Sequence, residues 1–214
     1  MGIGKWFKRK QDTAAFPEQG YAELRERVYR EFFGKSQGVS TEMWPFLPRI
    51  DVFVYPPTRA GRTWYTLASS GMSDKPMTLV EGVDRSFARR EIILYCERPD
   101  EEYINMVREF AHFPHQKSTW LGPGQIVPNG DPPAPLFENS QLCAVLLMES
   151  VVNPDRQLAT KVVLDGDPVD FLWIVPITQA EVDYKLKNGF DAMMDLFDKV
   201  KHSIVLDPGR VSYL

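Results

Sequence analysis

What this chain lacks excludes several chemistries. Two cysteines in 214 residues cannot build a disulfide framework. Cys96 and Cys143 both lie in apolar, strand-like runs and read as reduced core residues of a cytoplasmic protein. No uninterrupted apolar run approaches the roughly 20 residues that a membrane-spanning helix needs. The N-terminal MGIGKWFKRKQD lacks the apolar core of a signal peptide, and Trp6 stands where a myristoylation motif requires Ser or Thr. Residues 1–16 therefore read as a basic, flexible segment beside the domain. The alternative is a membrane-surface contact through Ile3, Trp6 and Phe7 among Lys5, Lys8, Arg9 and Lys10. A net charge of −4 argues against a nucleic-acid partner, which requires a concentrated basic surface. Phosphate-cradling motifs are absent, and Gly122-Pro123-Gly124 has neither the preceding strand nor the following Lys of a phosphate loop. His112 and His115 flank Pro114, and neither cysteine has a CxxC partner, so no metal and no cofactor is expected.

What is present describes one α+β domain over residues 17–206, with 207–214 as a C-terminal tail that is a last short strand or disordered. Hydrophobic residues are 43% and charged residues 25%, ordinary values for a chain long enough to bury a sizeable core. Tyr21, Leu24, Val28 and Phe32 recur at helical spacing, with Glu23, Arg25, Glu26 and Arg27 on other faces. Gly34 fits just past that helix, and residues 35–42 read as a polar connection. From Arg49 the period becomes two. Ile50, Val52 and Val54 share a face, and residues 63–69 form the antiparallel partner strand. Residues 91–96 are a central strand, and Pro99-Asp100 opens a helix whose buried stripe includes Tyr103, Val107 and Phe110. Residues 142–148 form a strand. A hairpin then joins 162–164 to 169–175, and the second arm is apolar on both faces, as a doubly covered sheet requires. Thr178 with Glu181 makes a capping box. The helix it starts stops near Asn188-Gly189, and another follows with Met193, Phe197, Val200 and Ile204 buried. The sum is a mostly antiparallel sheet with helices packed on its faces.

Residues 113–130, FPHQKSTWLGPGQIVPNG, stand apart. They hold too much Pro and Gly for helix or strand, and too many apolar residues for a solvated linker. The helix before them is expected to stop short of Pro114. A long loop anchored by Trp120, Leu121, Ile126 and Val127 is often a binding element. Reactive side chains are sparse. Ser70 or Ser73 with Asp74 and His115 can be drawn as a hydrolytic triad, but GxSxG is absent and Gly71-Met72-Ser73 reads equally as a turn capped by its own hydroxyls.

Four segments in order resemble the suppressor-of-fused domain family. They are IDVFVYPPTRAGRTWYTLASSGMSDKPM (50–77), EIILYC (91–96), FPHQKSTWLGPGQIVPNG (113–130) and FLWIVPITQAE (171–181). Together they span roughly residues 44–206. The resemblance implies an α+β domain that binds proteins, without a known catalytic centre or obligatory cofactor. In animals the namesake restrains a transcription factor of Hedgehog signalling by clamping a short peptide between this domain and a second, C-terminal one. This chain stops soon after the first, so one copy is not expected to assemble that clamp. It resembles instead the short, stand-alone bacterial members, some of which are proposed as immunity proteins that bind and neutralise toxins. The expected interaction surface comprises Ser70, Met72, Asp74, His115, Thr119 and Asn129. The alternative from a different class is a small hydrolase or ligand-binding enzyme using Ser73, Asp74 and His115.

Overall fold

The computed structural model describes residues 18–43, 47–58, 62–152 and 155–214. The expectations for the basic N-terminal segment lie outside them. Helix α1 (Glu18–Phe33) leads to β1 (Gly38–Ser40), β2 (Asp51–Tyr55), β3 (Tyr65–Ser70) and β4 (Arg89–Cys96). After α2 (Glu101–Gln116) come β5 (Ile126–Pro128), β6 (Leu142–Glu149), β7 (Val163–Leu164) and β8 (Asp167–Thr178). Helices α3 (Gln179–Asn188) and α4 (Phe190–Val200) follow.

The strands form one sheet in the order β1-β2-β3-β4-β8-β6-β5, with the short β7 also paired to β8. Every pairing is antiparallel except β4 with β8, which run parallel from Arg89 opposite Val169 to Ile93 opposite Trp173. The sheet is thus mixed but mostly antiparallel. Its last strand in sequence lies at the centre, between β4 and β6.

Alternation of side chains along each strand divides the core between the two faces of the sheet. One face joins Ile50, Val52, Leu67, Ile92, Leu94, Leu172 and Ile174 to Tyr103, Met106, Val107 and Phe110 of α2. The other joins Ile93, Tyr95, Phe171, Trp173 and Val175 to Val28, Tyr29 and Phe33 of α1 and Met193 and Phe197 of α4. This is why β8 reads as apolar on both faces.

Several local expectations change. The connection after α1 contains β1, which pairs with β2. Helix α2 does not stop before Pro114 but runs through it to Gln116. Pro114 falls in the last turn, where the missing N–H costs one hydrogen bond, and Lys117 N–H still closes the helix on the Phe113 carbonyl (2.9 Å). Residues 113–130 therefore comprise a helix end, a loop and an edge strand. The tail is neither strand nor disordered but docked, with Arg210 paired to buried Glu181 (2.7 Å). Val200 is exposed and Ile204 half-buried beyond the end of α4.

The two most local signals match the structure. Thr178 N–H donates to Glu181 Oε2 (2.8 Å), and Glu181 N–H donates to Thr178 Oγ1 (3.4 Å), closing the capping box. In the β7–β8 hairpin Asp165 and Gly166 both take positive φ (53° and 86°), the backbone that a two-residue turn between twisted strands demands.

Candidate functional site

The side chains with chemical potential gather around the end of β3 and the short 3-10 turn Met72–Asp74. Gly71 connects the two at φ 128°, where a Cβ would lie 1.9 Å from the Arg49 carbonyl oxygen. Only glycine lets the chain pass β2 this closely. The turn points its amides at Glu91 of β4, which is wholly buried. Glu91 Oε1 accepts from Gly71 N–H (3.0 Å), Ser73 N–H (3.0 Å) and Ser73 Oγ (2.6 Å), and Oε2 accepts from Ser69 Oγ (2.5 Å).

Four donors thus meet this carboxylate, and its counter-charge comes from α1. Arg25, 1% exposed, places Nε 3.6 Å from Glu91 Oε1 and Nη1 2.5 Å from Asp74 Oδ1. It also donates to Ser70 Oγ (2.9 Å) and Ser73 Oγ (3.1 Å). Burial alone would weaken the guanidinium's hold on its proton, but Glu91 and then Asp74 outweigh it and raise its pKa. Tyr29, one turn on, donates to the Ser69 carbonyl (2.7 Å), and burial pushes its phenol well above the usual range.

Arg89 fastens the turn from the other side. Its Nη1 donates to the carbonyls of Ser73 (2.7 Å) and Asp74 (3.1 Å), and Nη2 to Asp165 of the β7–β8 turn (2.8 Å). Tyr21 of α1 donates to the same Asp165. His115, at the end of α2, donates Nε2–H to the Met72 carbonyl (2.9 Å). Desolvation by burial, the foremost cause, lowers its pKa.

The drawn triad is therefore not assembled as a relay. Ser73 Oγ donates to Glu91, Asp74 pairs with Arg25, and His115 donates to a main-chain carbonyl. Ser73 and the carboxylate that accepts its proton are both 0% exposed, so the hydroxyl is not presented to a substrate. Among the described residues no group of three or more His, Cys, Asp or Glu is placed to hold a metal ion. His112 instead contacts Glu42 Oε1 (2.8 Å). Cys96 and Cys143 are free and buried, and burial pushes the Cys96 thiol up to about 12.

The two loops singled out in the sequence do meet. Besides the His115–Met72 bond, Thr78 N–H donates to the Thr119 carbonyl (3.2 Å), and Leu121 N–H contacts Met77 Sδ (3.4 Å). Of the six residues expected on an interaction surface, Ser70 and Met72 are corrected to the interior, at 6% and 1% exposure. Ser70 is drawn inward by Arg25, and Met72 packs in the α2-side core. Asp74, His115 and Thr119 are half-buried, with Lys75, Pro76, Thr78, Lys117 and Ser118 exposed around them. Asn129 is half-buried at the end of β5, where its side chain donates to the carbonyls of Ala134 (3.1 Å) and Pro135 (2.8 Å).

The sequence reading missed both poles of the network. Arg25 stands among charged neighbours on an amphipathic helix and reads as solvated. The one available signal is its position, one residue after Leu24 and three before Val28. Glu91 opens an otherwise apolar run, where an acid reads as a strand end.

The family model of the suppressor of fused protein (SUFU) matches residues 47–211. Among solved structures, a SUFU homolog from Neisseria gonorrhoeae FA 1090 superposes with a TM-score of 0.65 at 20% identity, covering 92% of this chain and 98% of the other. A structure of the Sufu-Fu complex gives 0.60 at 14% identity, covering 91% of each chain. Drosophila Suppressor of Fused gives 0.59 at 15% identity, covering 90% of this chain and 50% of the other, so this chain spans about half the length of that relative. At these identities the superpositions speak for the fold alone. No curated protein matches the sequence. The family match over residues 47–211 covers most of the 214 residues, and the chain belongs to the suppressor of fused protein family.

Proposed function

We propose that this chain is a non-catalytic protein-binding domain that acts in the cytoplasm as an immunity protein, binding and neutralising a partner toxin. The observation that carries the non-catalytic part is the commitment of Ser73, Asp74 and His115 to Glu91, Arg25 and the Met72 carbonyl. These contacts hold the fold together and keep the Ser73 hydroxyl buried against Glu91. Family membership supports binding as the mode of action, since one similar structure is itself a Sufu-Fu complex. The binding surface is the place where the turn after β3 meets the end of α2. There Asp74, His115 and Thr119 sit within a rim of exposed Lys75, Thr78, Lys117 and Ser118. Asn129 and the outer edge of β5, which has a strand neighbour on one side alone among the described residues, form a separate candidate surface at the far end of the sheet.

The test is co-expression with the product of the adjacent reading frame, followed by affinity capture, with Lys75→Glu and Thr119→Arg as surface variants. The expected result is a specific toxin-like partner whose retention falls at least tenfold in the variants while their circular dichroism is unchanged. A partner held equally by wild type and variants removes the surface assignment. Absence of any toxin-like partner, with toxicity unrelieved by co-expression, removes the immunity reading.

A further inference from the structure

The parallel pair at the centre of the sheet separates before either strand ends. β4 and β8 are in register as far as Ile93 and Trp173, yet β4 continues to Cys96 and β8 to Thr178. The crevice between their C-terminal ends is occupied by the chain's own C-terminal segment. Leu206 makes a parallel bridge to Cys96, and its N–H donates to the Tyr95 carbonyl (2.8 Å). Arg210 Nη2 donates to the Pro176 carbonyl on the β8 side (2.9 Å). The fit is incomplete, since a cavity of about 80 Å³ remains beneath the segment, with Leu94 and Trp173 in its wall.

The attachment is concentrated in a few groups. Arg210 grips both oxygens of Glu181 (2.7 Å each), and Tyr213 N–H donates to the same carboxylate (3.2 Å). At the other end Lys201 takes a left-handed conformation (φ 54°) that ends α4 and turns the chain into the crevice. Between these points lies His202. Its ring stacks on Phe197 (4.2 Å between centroids) and lies 6.2 Å from Trp173, and its Nδ1 meets Tyr213 Oη at 2.8 Å.

This seat suits a neutral imidazole whose Nδ1 accepts the Tyr213 proton. The groups facing it are Arg210, Glu181 and Tyr213, with aromatic carbon from α4 and β8 on the remaining sides. The Glu181 charge is already taken by Arg210 and by the main-chain N–H groups of Thr178 and Tyr213. A proton on His202 therefore adds a cation beside Arg210 and reverses the bond to Tyr213, with no uncommitted acceptor among these groups. Burial first, and Arg210 second, hold its pKa down to about 4.

We infer that residues 202–214 are an acid-released strap, seated between β4 and β8 while His202 is neutral and lifted from the crevice, hinging at Lys201, when His202 is protonated. Release uncovers Trp173 and the main-chain groups of Tyr95 and Pro176.

Hydrogen exchange read by mass spectrometry on the intact protein from pH 7 to pH 4, corrected for the intrinsic rate, tests this. Protection of residues 203–214 is expected to fall on the order of a hundredfold, as a shift from 6.5 to about 4 implies, while β6 and β8 stay protected. In His202→Phe, which keeps the stack without titrating, the strap is expected to stay protected at pH 4, and His202→Gln provides a second non-titrating variant. Three results overturn the inference: strap protection unchanged to pH 4, loss of strap and sheet together, or the same loss in a folded non-titrating variant.

Discussion

Arg25 of the first helix and Glu91 of the central strand face each other at 3.6 Å with both side chains withdrawn from water. Ser69, Ser70, Ser73, Asp74 and the Gly71 amide complete the hydrogen bonding around them. The arrangement ties α1, β3, the turn after it and β4 into one unit, so its removal is a test of the whole N-terminal half.

Replacing Glu91 by Ala leaves the Arg25 guanidinium buried with part of its counter-charge gone and two main-chain amides without an acceptor. Breaking one side of such a pair typically costs about 3–5 kcal/mol. Urea unfolding is expected to show a loss of that size. A loss below about 1 kcal/mol, the level of an exposed pair, would show that the network adds little.

Gly71→Ala tests the turn without touching a charge. The added methyl meets the Arg49 carbonyl at 1.9 Å with the backbone at φ 128°, so β2 or the turn must shift. The cost is expected to reach about 2 kcal/mol or more, measured as a lower urea midpoint with an unchanged slope.

The C-terminal anchor separates into a cap and a pair. Thr178→Ala removes one bond of the capping box and is expected to cost about 1 kcal/mol. Arg210→Ala strips the main partner from a fully buried carboxylate and is expected to cost about 3–5 kcal/mol. Thermal and urea unfolding of the two variants side by side check the order, and a costlier Thr178→Ala would reverse the account of Glu181.

Stability is expected to fall in acid in two stages. The folded pKa of His202, about 4, lies below its ordinary 6.5, with burial the main cause. The unfolded chain therefore takes up the proton first, and stability present above pH 6.5 is lost as the pH falls towards 4. His115 shifts the same way, again chiefly through burial. Glu181 is lowered from 4.5 because the bonds from Arg210 and the Thr178 amide overcome burial. Its contribution is present above pH 4.5 and lost below it. Unfolding midpoints measured from pH 7 to pH 3 check the profile, and His202→Phe is expected to flatten its upper part.

Much of this was legible wherever the signal is local. Thr178 and Glu181 lie three residues apart and dictate their helix start without tertiary help. Asp165-Gly166 dictates its turn, and the alternation of Ile50, Val52 and Val54 assigns them to one face. What could not be read depends on contacts distant in sequence. Nothing near Arg25 announces that a carboxylate on β4 awaits it, and nothing near Glu91 reveals that the turn after β3 aims its amides there. Pro114 reads as a helix stop under the general rule against proline in helix interiors, but α2 carries it in its last turn. Ser70 and Met72 read as loop surface because small, flexible residues surround them, but the turn folds inward over the sheet. Five of the six expected contacts thus divide between a structural hub and its outer rim, and Asn129 lies at the far end of the sheet.

The central place of β8 also bears on the nascent chain. Until residues 167–178 leave the ribosome, the eight-residue strands β4 and β6 each present an apolar edge awaiting the same partner. Such edges recruit other chains when left open. Synthesis stalled before Asp167 is therefore the point of greatest exposure to aggregation and greatest demand for chaperones, and the arrival of one strand closes both edges together.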